Sequence, residues 1–247
     1  MAESLEQAWE LNQKGRNNVI IGGNLWLKMG NRNILNAIDL STLGLDRIEE
    51  DESGFRIGCM ATLRDIEMHE GLNKEFQNLF KEAVRHIVGV QFRNCATVGG
   101  SIFPKLGFSD VLTAFLACDT QVILYKKGEV SLREFIYMPL DNDILTHIYV
   151  KKDGRKTAYE SFRMTETDFP TLTCAMAMVD GRFETVLGAR PKHAEVVIDE
   201  ELADSLSKED VASYAKRVID KLQYGSNIRG SKQYRKQLSK VLISCCI

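Results

Sequence analysis

The chain is short of the features that mark several common classes of protein. No uninterrupted apolar stretch approaches the roughly 20 residues that a membrane-spanning helix needs. The N-terminus, MAESLEQAWELNQKG, carries acidic residues where a secretory leader has a basic segment, so a cytoplasmic protein is expected. The six cysteines, Cys59, Cys95, Cys118, Cys174, Cys245 and Cys246, contain no C-x-x-C pair. That argues against a zinc ribbon, an iron–sulfur cluster or a redox dithiol held by this chain. Cys245 and Cys246 are adjacent, but they close a helical pattern and read as packing residues. His69, His86, His147 and His193 lack the spacing of metal ligands and are given no role. Also missing are the G-x-x-x-x-G-K-S/T phosphate loop, a G-x-G-x-x-G after a strand, H-E-x-x-H and G-x-S-x-G. The net charge is −2, and Lys and Arg are scattered with no basic run interleaved with aromatics. Nothing there offers a surface to nucleic acid.

What is present is the apolar content of an ordinary folded protein: 247 residues, 44% of them hydrophobic, with only four prolines and no low-complexity segment. That is enough for a core shared by two unequal lobes. Ser4 and Gln7 have the form of a capping box that opens a helix ending near Gly15. Asn18 to Ile21 and Ile34 to Leu40 read as strands, as does Phe55 to Met60 after an acidic turn from Glu49 to Gly54. Thr62 and Asp65 form a second capping pair. From Phe76 to Val88 the apolar residues fall at helical spacing, which predicts one amphipathic helix over Asn73 to Val88. Ser109 is suited to cap a helix from Val111 to Cys118. Gln121 to Tyr125 and Ile144 to Val150 are further strands, flanking a short helix at Leu132 to Ile136.

The polar turn KKDGRK, Lys151 to Lys156, marks a lobe boundary or hairpin. Three strand-like runs follow, at Tyr159 to Met164, Leu172 to Val179 and Phe183 to Leu187, and Asp180-Gly181 is a hairpin signal. Helices from Ser207 to Leu222 and from Gln233 to Ile247 complete an α+β lobe.

Two glycine pairs stand out: Gly22-Gly23-Asn24 after the first strand and Gly99-Gly100-Ser101 after a short apolar run. A turn of successive amides makes a concave anion site, and glycine allows oxygen atoms to approach the main chain. A single pair is more simply a tight turn. Two pairs, each followed by a polar side chain, point to one split site for a pyrophosphate.

RNCATVGGSIFPKLGFSDVLTAFLACDTQVIL closely resembles the FAD-binding segment of the medium, flavoprotein subunits of the molybdenum hydroxylase family, which includes xanthine dehydrogenase, carbon monoxide dehydrogenase and aldehyde oxidase. VIIGGNLWLKM resembles the first glycine turn of that family, LREFI a recurrent element, YESFRMTETDFPTLTCAMAM the opening strands of its C-terminal domain, and GSKQYRKQLSKVLI its terminal helix. The resemblance implies a two-subdomain FAD-binding domain of the vanillyl-alcohol-oxidase type over 1–152, divided near residue 52. A small C-terminal domain of antiparallel sheet plus helices would follow over 153–247. It implies that Ile20, Ile21, Gly22, Gly23, Asn24, Leu25 and Trp26 form one side of the FAD site, and Thr97, Gly99, Gly100 and Ser101 the other. Asp110 would contact the nucleotide part, while Leu145 and Arg163 would lie beside the flavin.

Ser101 stands where the family usually has Asn, and Ile87 where some relatives present an aromatic residue. By the same resemblance the chain is an electron-transfer subunit. Its FAD is reduced through iron–sulfur centres on a small subunit that serve a molybdopterin large subunit, and it passes electrons to NAD or another acceptor. An assembly subunit that keeps the fold without FAD, or a stand-alone FAD-dependent reductase, are the alternatives.

Overall fold

The computed structural model describes residues 1–199 and 207–247. Helix α1 (Leu5–Gln13) is capped by Ser4, whose Oγ accepts from the Gln7 amide. The Gln7 side chain accepts from Glu3 N, one residue earlier than a closed capping box requires. Strands β1 (Asn18–Ile21) and β2 (Asn36–Asp39) pair in parallel. A parallel pair cannot be closed by a tight hairpin, so the chain crosses over through a loop carrying one 3-10 turn, Leu27–Met29. That crossover starts at Gly22, at the carboxyl end of β1.

A five-stranded antiparallel sheet follows: β3 (Ile48–Glu50), β4 (Gly54–Gly58), β5 (Thr120–Leu124), β6 (Gly128–Ser131) and β7 (Leu145–Lys151), in the order β3-β4-β7-β5-β6. Between β4 and β5 the chain makes a helical excursion: α2 (Leu63–Met68), α3 (Glu70–Glu75), α4 (Leu79–Val84), α5 (Val90–Arg93), α6 (Val98–Ile102) and α7 (Asp110–Leu116). A short α8 (Leu132–Phe135) joins β6 to β7. The last part is a second antiparallel sheet of β8 (Lys156–Phe162), β9 (Leu172–Val179), β10 (Arg182–Gly188) and β11 (Glu195–Ile198), in the order β11-β10-β9-β8, with α9 (Lys208–Lys221) and α10 (Lys232–Cys246). Among the described residues no helix is long and apolar enough to cross a membrane.

Strand β9 ties the two parts together. Its side chains alternate, so Leu172, Cys174 and Met176 enter a cluster with Tyr214, Val218, Leu238 and Ile243 of α9 and α10. Ala175 and Ala177 face the main core instead. Burial on both faces explains the unbroken apolar run LTCAMAM, which carries no alternation of polarity. Asp180 and Gly181, at φ 50 and 72, make the primed turn that this hairpin needs.

Four expectations are corrected. The single helix over Asn73 to Val88 is broken: Gln77 and Asn78 have φ 46 and 64, so α3 and α4 are separate helices. The apolar face survives the break, with Phe76, Leu79, Phe80, Ala83 and Val84 buried. The cause is polar and partly distant in sequence. Asn73 Nδ2 donates to the carbonyls of Ile66, Glu67 and His69 at 3.1, 3.0 and 2.9 Å, and its Oδ1 accepts from Lys81 N. Gln77 Oε1 accepts from Thr157 N at 2.6 Å, which draws the break toward β8. The acidic turn before Gly54 starts as strand β3, and the C-terminal sheet has a fourth strand, β11. Cys246 packs with its Sγ 3.9 Å from that of Cys174, but Cys245 is exposed rather than packed.

Replacing Asn73 with Ala should destabilise the chain by about 1–3 kcal/mol, because buried acceptors then lose their donor. Denaturant unfolding of the two proteins measures this, and an unchanged midpoint would show that the break has another cause.

Candidate functional site

The site begins at the end of β1. Gly23 lies against the backbone of Cys95 and Ala96, and Gly22 against the Thr97 side chain, so closely that a Cβ on Gly23 would stand 1.7 Å from the Cys95 carbonyl oxygen. One on Gly22 would stand 2.4 Å from Thr97 Oγ1. The two glycine-bearing segments therefore touch, and glycine is required for their mutual approach. Asn24 follows at φ 58. The amides of Gly22, Gly23, Asn24, Leu25 and Trp26 find no acceptor among the described residues. Together they form a concave cluster of free donors of the kind that takes an anion. Trp26 ends the loop half-exposed, stacked on Phe169 at 5.4 Å and 22°, with Phe108 at 5.2 Å.

The second segment differs from its sequence reading. Gly99 and Gly100 lie in the first turn of α6, capped by Thr97, whose Oγ1 accepts from Gly100 N at 3.2 Å. The Val98 and Gly99 amides donate to the carbonyls of Ala61 and Cys59 at 2.8 and 2.9 Å. A Cβ on Gly99 would lie 2.7 Å from the Cys59 oxygen, so this glycine too serves close packing. Ser101 Oγ turns back to donate to Thr97 O at 2.9 Å. The amides of Val98 to Ser101 and the Ser101 hydroxyl are thus spent within the protein, the Thr97 amide and hydroxyl hydrogen find no acceptor among the described residues, and most of the free donors belong to the first loop. Arg93, which precedes the segment, is buried on Glu67 at 2.8 and 3.1 Å. Burial pushes the Glu67 carboxyl up, but the guanidinium groups of Arg93 and Arg64 outweigh it and hold the group below its ordinary value.

The far end is polar and almost closed to water. Asp110, first residue of α7, is buried, with Tyr159 donating to Oδ1 at 2.6 Å and Arg163 Nη2 lying 2.7 Å from Oδ2. Burial pushes the Asp110 carboxyl up against the pull of Arg163 and Tyr159. Burial and the Asp110 charge push the Tyr159 phenol well above its ordinary value. Arg163 Nη1 donates to Ser161 Oγ at 2.5 Å, while Nε is buried with no partner. Leu145 opens β7 beside a register irregularity at Ile123 and Leu124, and is buried. His86 is held below its ordinary value by burial and by Arg85 and Arg163.

One cavity of about 740 Å³ runs between these ends, within the roughly 300–1,000 Å³ of small-molecule sites. Every site residue named from the sequence lines it: Ile20 to Trp26, Thr97, Gly99, Gly100, Ser101, Asp110, Leu145 and Arg163. His86, Val88, Phe108 and Phe169 line it as well and carried no signal in the sequence, since isolated rings and histidines look like core or surface. Val88, at φ 52, is a β-branched residue in a conformation that costs free energy.

Free amides of the first loop and the buried Asp110–Arg163 pair thus line one cavity, an arrangement suited to an anionic ligand. Residues 1–150 match the FAD binding domain in molybdopterin dehydrogenase, and the chain belongs to that family, whose domain takes FAD. It is 24% identical over 259 residues to the uncharacterized protein YgfM of Escherichia coli strain K12, across 98% of this chain and 92% of the relative. It is 26% identical over 264 residues to the glyceraldehyde dehydrogenase medium chain of Sulfolobus acidocaldarius, across 98% and 93%. Among solved structures, a chain of the carbon monoxide dehydrogenase of Hydrogenophaga pseudoflava, in a form lacking the Mo-pyranopterin moiety, superposes with TM-score 0.86 at 22% identity. The match covers 99% of this chain and 93% of that one, so the two share a fold.

Gly23→Ala should force the two segments apart and cost about 1–3 kcal/mol by overpacking, whereas Gly15→Ala, with nothing within 4 Å of the new methyl, should stay within about 0.5 kcal/mol. Thermal unfolding of both variants checks this, and equal effects would contradict the close approach.

Proposed function

We propose that the chain is the FAD-carrying electron-transfer subunit of a molybdenum hydroxylase complex. Its partners on this reading are an iron–sulfur small subunit and a molybdopterin large subunit, its acceptor NAD or another oxidant, and its location the cytoplasm. The glyceraldehyde dehydrogenase relative is named a medium chain and another, at 23% identity, a subunit of a dehydrogenase complex; both names support a heteromeric assembly. The division into 1–152, with lobes meeting near residue 52, and 153–247 belongs to the same proposal.

The observation that carries the reading is the unpaired, buried Nε of Arg163, in the same cavity as the free amides of Gly22 to Trp26. These residues fit FAD. The first loop would hold the pyrophosphate, with Ile20 and Ile21 beneath it and Trp26 at its end. Thr97, Gly99, Gly100 and Ser101 would form the opposite wall more by shape than by free donors. Leu145 and Arg163 would meet the flavin, and Asp110, expected from the sequence to contact the nucleotide part, would lie at that same end because its carboxylate is 2.7 Å from Arg163 Nη2. Bound FAD supplies one- and two-electron transfer, and the protein tunes it through nearby charge. The Arg163 guanidinium, in a site of low dielectric, would stabilise negative charge on the ring. No side chain here is assigned acid–base work.

One observation favours a second reading, an assembly subunit without cofactor: the hydroxyl of Ser101 is turned back onto Thr97 O and is not free to donate to a ligand. A single titration separates the two. The purified chain should bind FAD, with a flavin spectrum and quenched flavin emission, and Arg163→Gln should weaken binding roughly ten- to hundredfold, the value of a charged hydrogen bond. A colourless protein that gains no flavin on incubation supports the assembly role and contradicts the first reading.

A further inference from the structure

An arginine beside a carboxylate ordinarily uses two of its nitrogens on the two oxygens, in a forked pair. Arg163 does not. One nitrogen, Nη2, meets Asp110 Oδ2, while Nε has no partner. The other carboxylate oxygen, Oδ1, is taken by the hydroxyl of Tyr159 at 2.6 Å.

Residues Tyr159, Ser161 and Arg163 are spaced by two along β8 and the residue just after it, so their side chains leave on the same side. Tyr159 reaches Asp110 and Ser161 accepts from Arg163 Nη1. Each oxygen and each terminal nitrogen is thereby assigned, and Nε is left over, buried and unpartnered on a side chain that lines the cavity.

We propose that Tyr159 is a positioning residue: by occupying Asp110 Oδ1 it denies Arg163 the forked pair and keeps Nε free for an acceptor atom of the flavin. The inference rests on the FAD reading above and adds a residue that touches no ligand. Without the hydroxyl, Arg163 closes on both oxygens of Asp110 and withdraws Nε from the cavity. Phenylalanine keeps the ring and its packing, so the substitution removes the hydroxyl alone.

The test is FAD titration of the full chain, followed by the flavin midpoint potential of the bound forms. Tyr159→Phe should weaken FAD roughly tenfold, the scale of one hydrogen bond to a charged group. It should also move the potential to a more negative value, because the cation is turned from the ring. Since Tyr159 acts through Arg163, the double variant Tyr159→Phe with Arg163→Gln should bind no more weakly than Arg163→Gln. In the unaltered chain, the ¹⁵Nε resonance of Arg163 should shift on addition of FAD, a readout that needs no variant to fold. Wild-type affinity and potential in Tyr159→Phe, multiplied losses in the double variant, or an unmoved Arg163 resonance with FAD bound would each overturn the positioning role and leave FAD binding standing. Absence of FAD binding by the wild type would overturn both.

Discussion

Nothing larger than hydrogen fits between Gly23 and the carbonyl of Cys95, and the cavity exists because those two stretches of backbone meet. The contact joins the carboxyl end of a parallel pair of strands to the entry of a short helix, two features separated by more than one element of structure. Behind it, Arg93 and Glu67 fix the chain as it enters Cys95, and the amides of Val98 and Gly99 bind the carbonyls of Ala61 and Cys59. The second segment is thus fastened to the main sheet, and the first loop is left with its donors free.

The C-terminal sheet supplies the other end of the site. Strand β9 is buried on both faces, which locks the sheet to the main core as well as to its own helices. Arg155, buried just before β8, donates to the Ala117 carbonyl at 2.6 Å and lies 3.3 Å from Glu184 of β10. That ties the end of α7 to the second sheet. With α7 and β8 held in place, Asp110 and Arg163 meet at 2.7 Å with both side chains buried, so that loss of either partner would leave the other charge buried and uncompensated.

Much of this was legible in the residues. Strands β1 and β9 have the bounds that their β-branched and apolar runs suggest, and the Thr62 and Asp65 pair forms a true capping box. The glycine pairs mark two segments that the fold brings into contact, but they do not disclose that one is a loop and the other a helical turn. That difference depends on Ala61 and Cys59, which are far away in sequence and have no side-chain signature for the task. The break in the Asn73 to Val88 pattern was hidden for a similar reason. Apolar periodicity reports which face is buried, while the break is made by the amide groups of Asn73 and Gln77. Phe108 and Phe169 were silent because an aromatic residue in a loop carries no mark of the ring it will stack on.

The central claim is that FAD lies along the cavity between the first loop and Arg163. A crystal structure of the chain grown with FAD tests it most directly. The account predicts the pyrophosphate on the amides of Gly22 to Trp26 and the flavin ring between Leu145 and Arg163, with an acceptor atom at Arg163 Nε. A pyrophosphate bound elsewhere, or an Nε still without a partner beside a bound flavin, would contradict it.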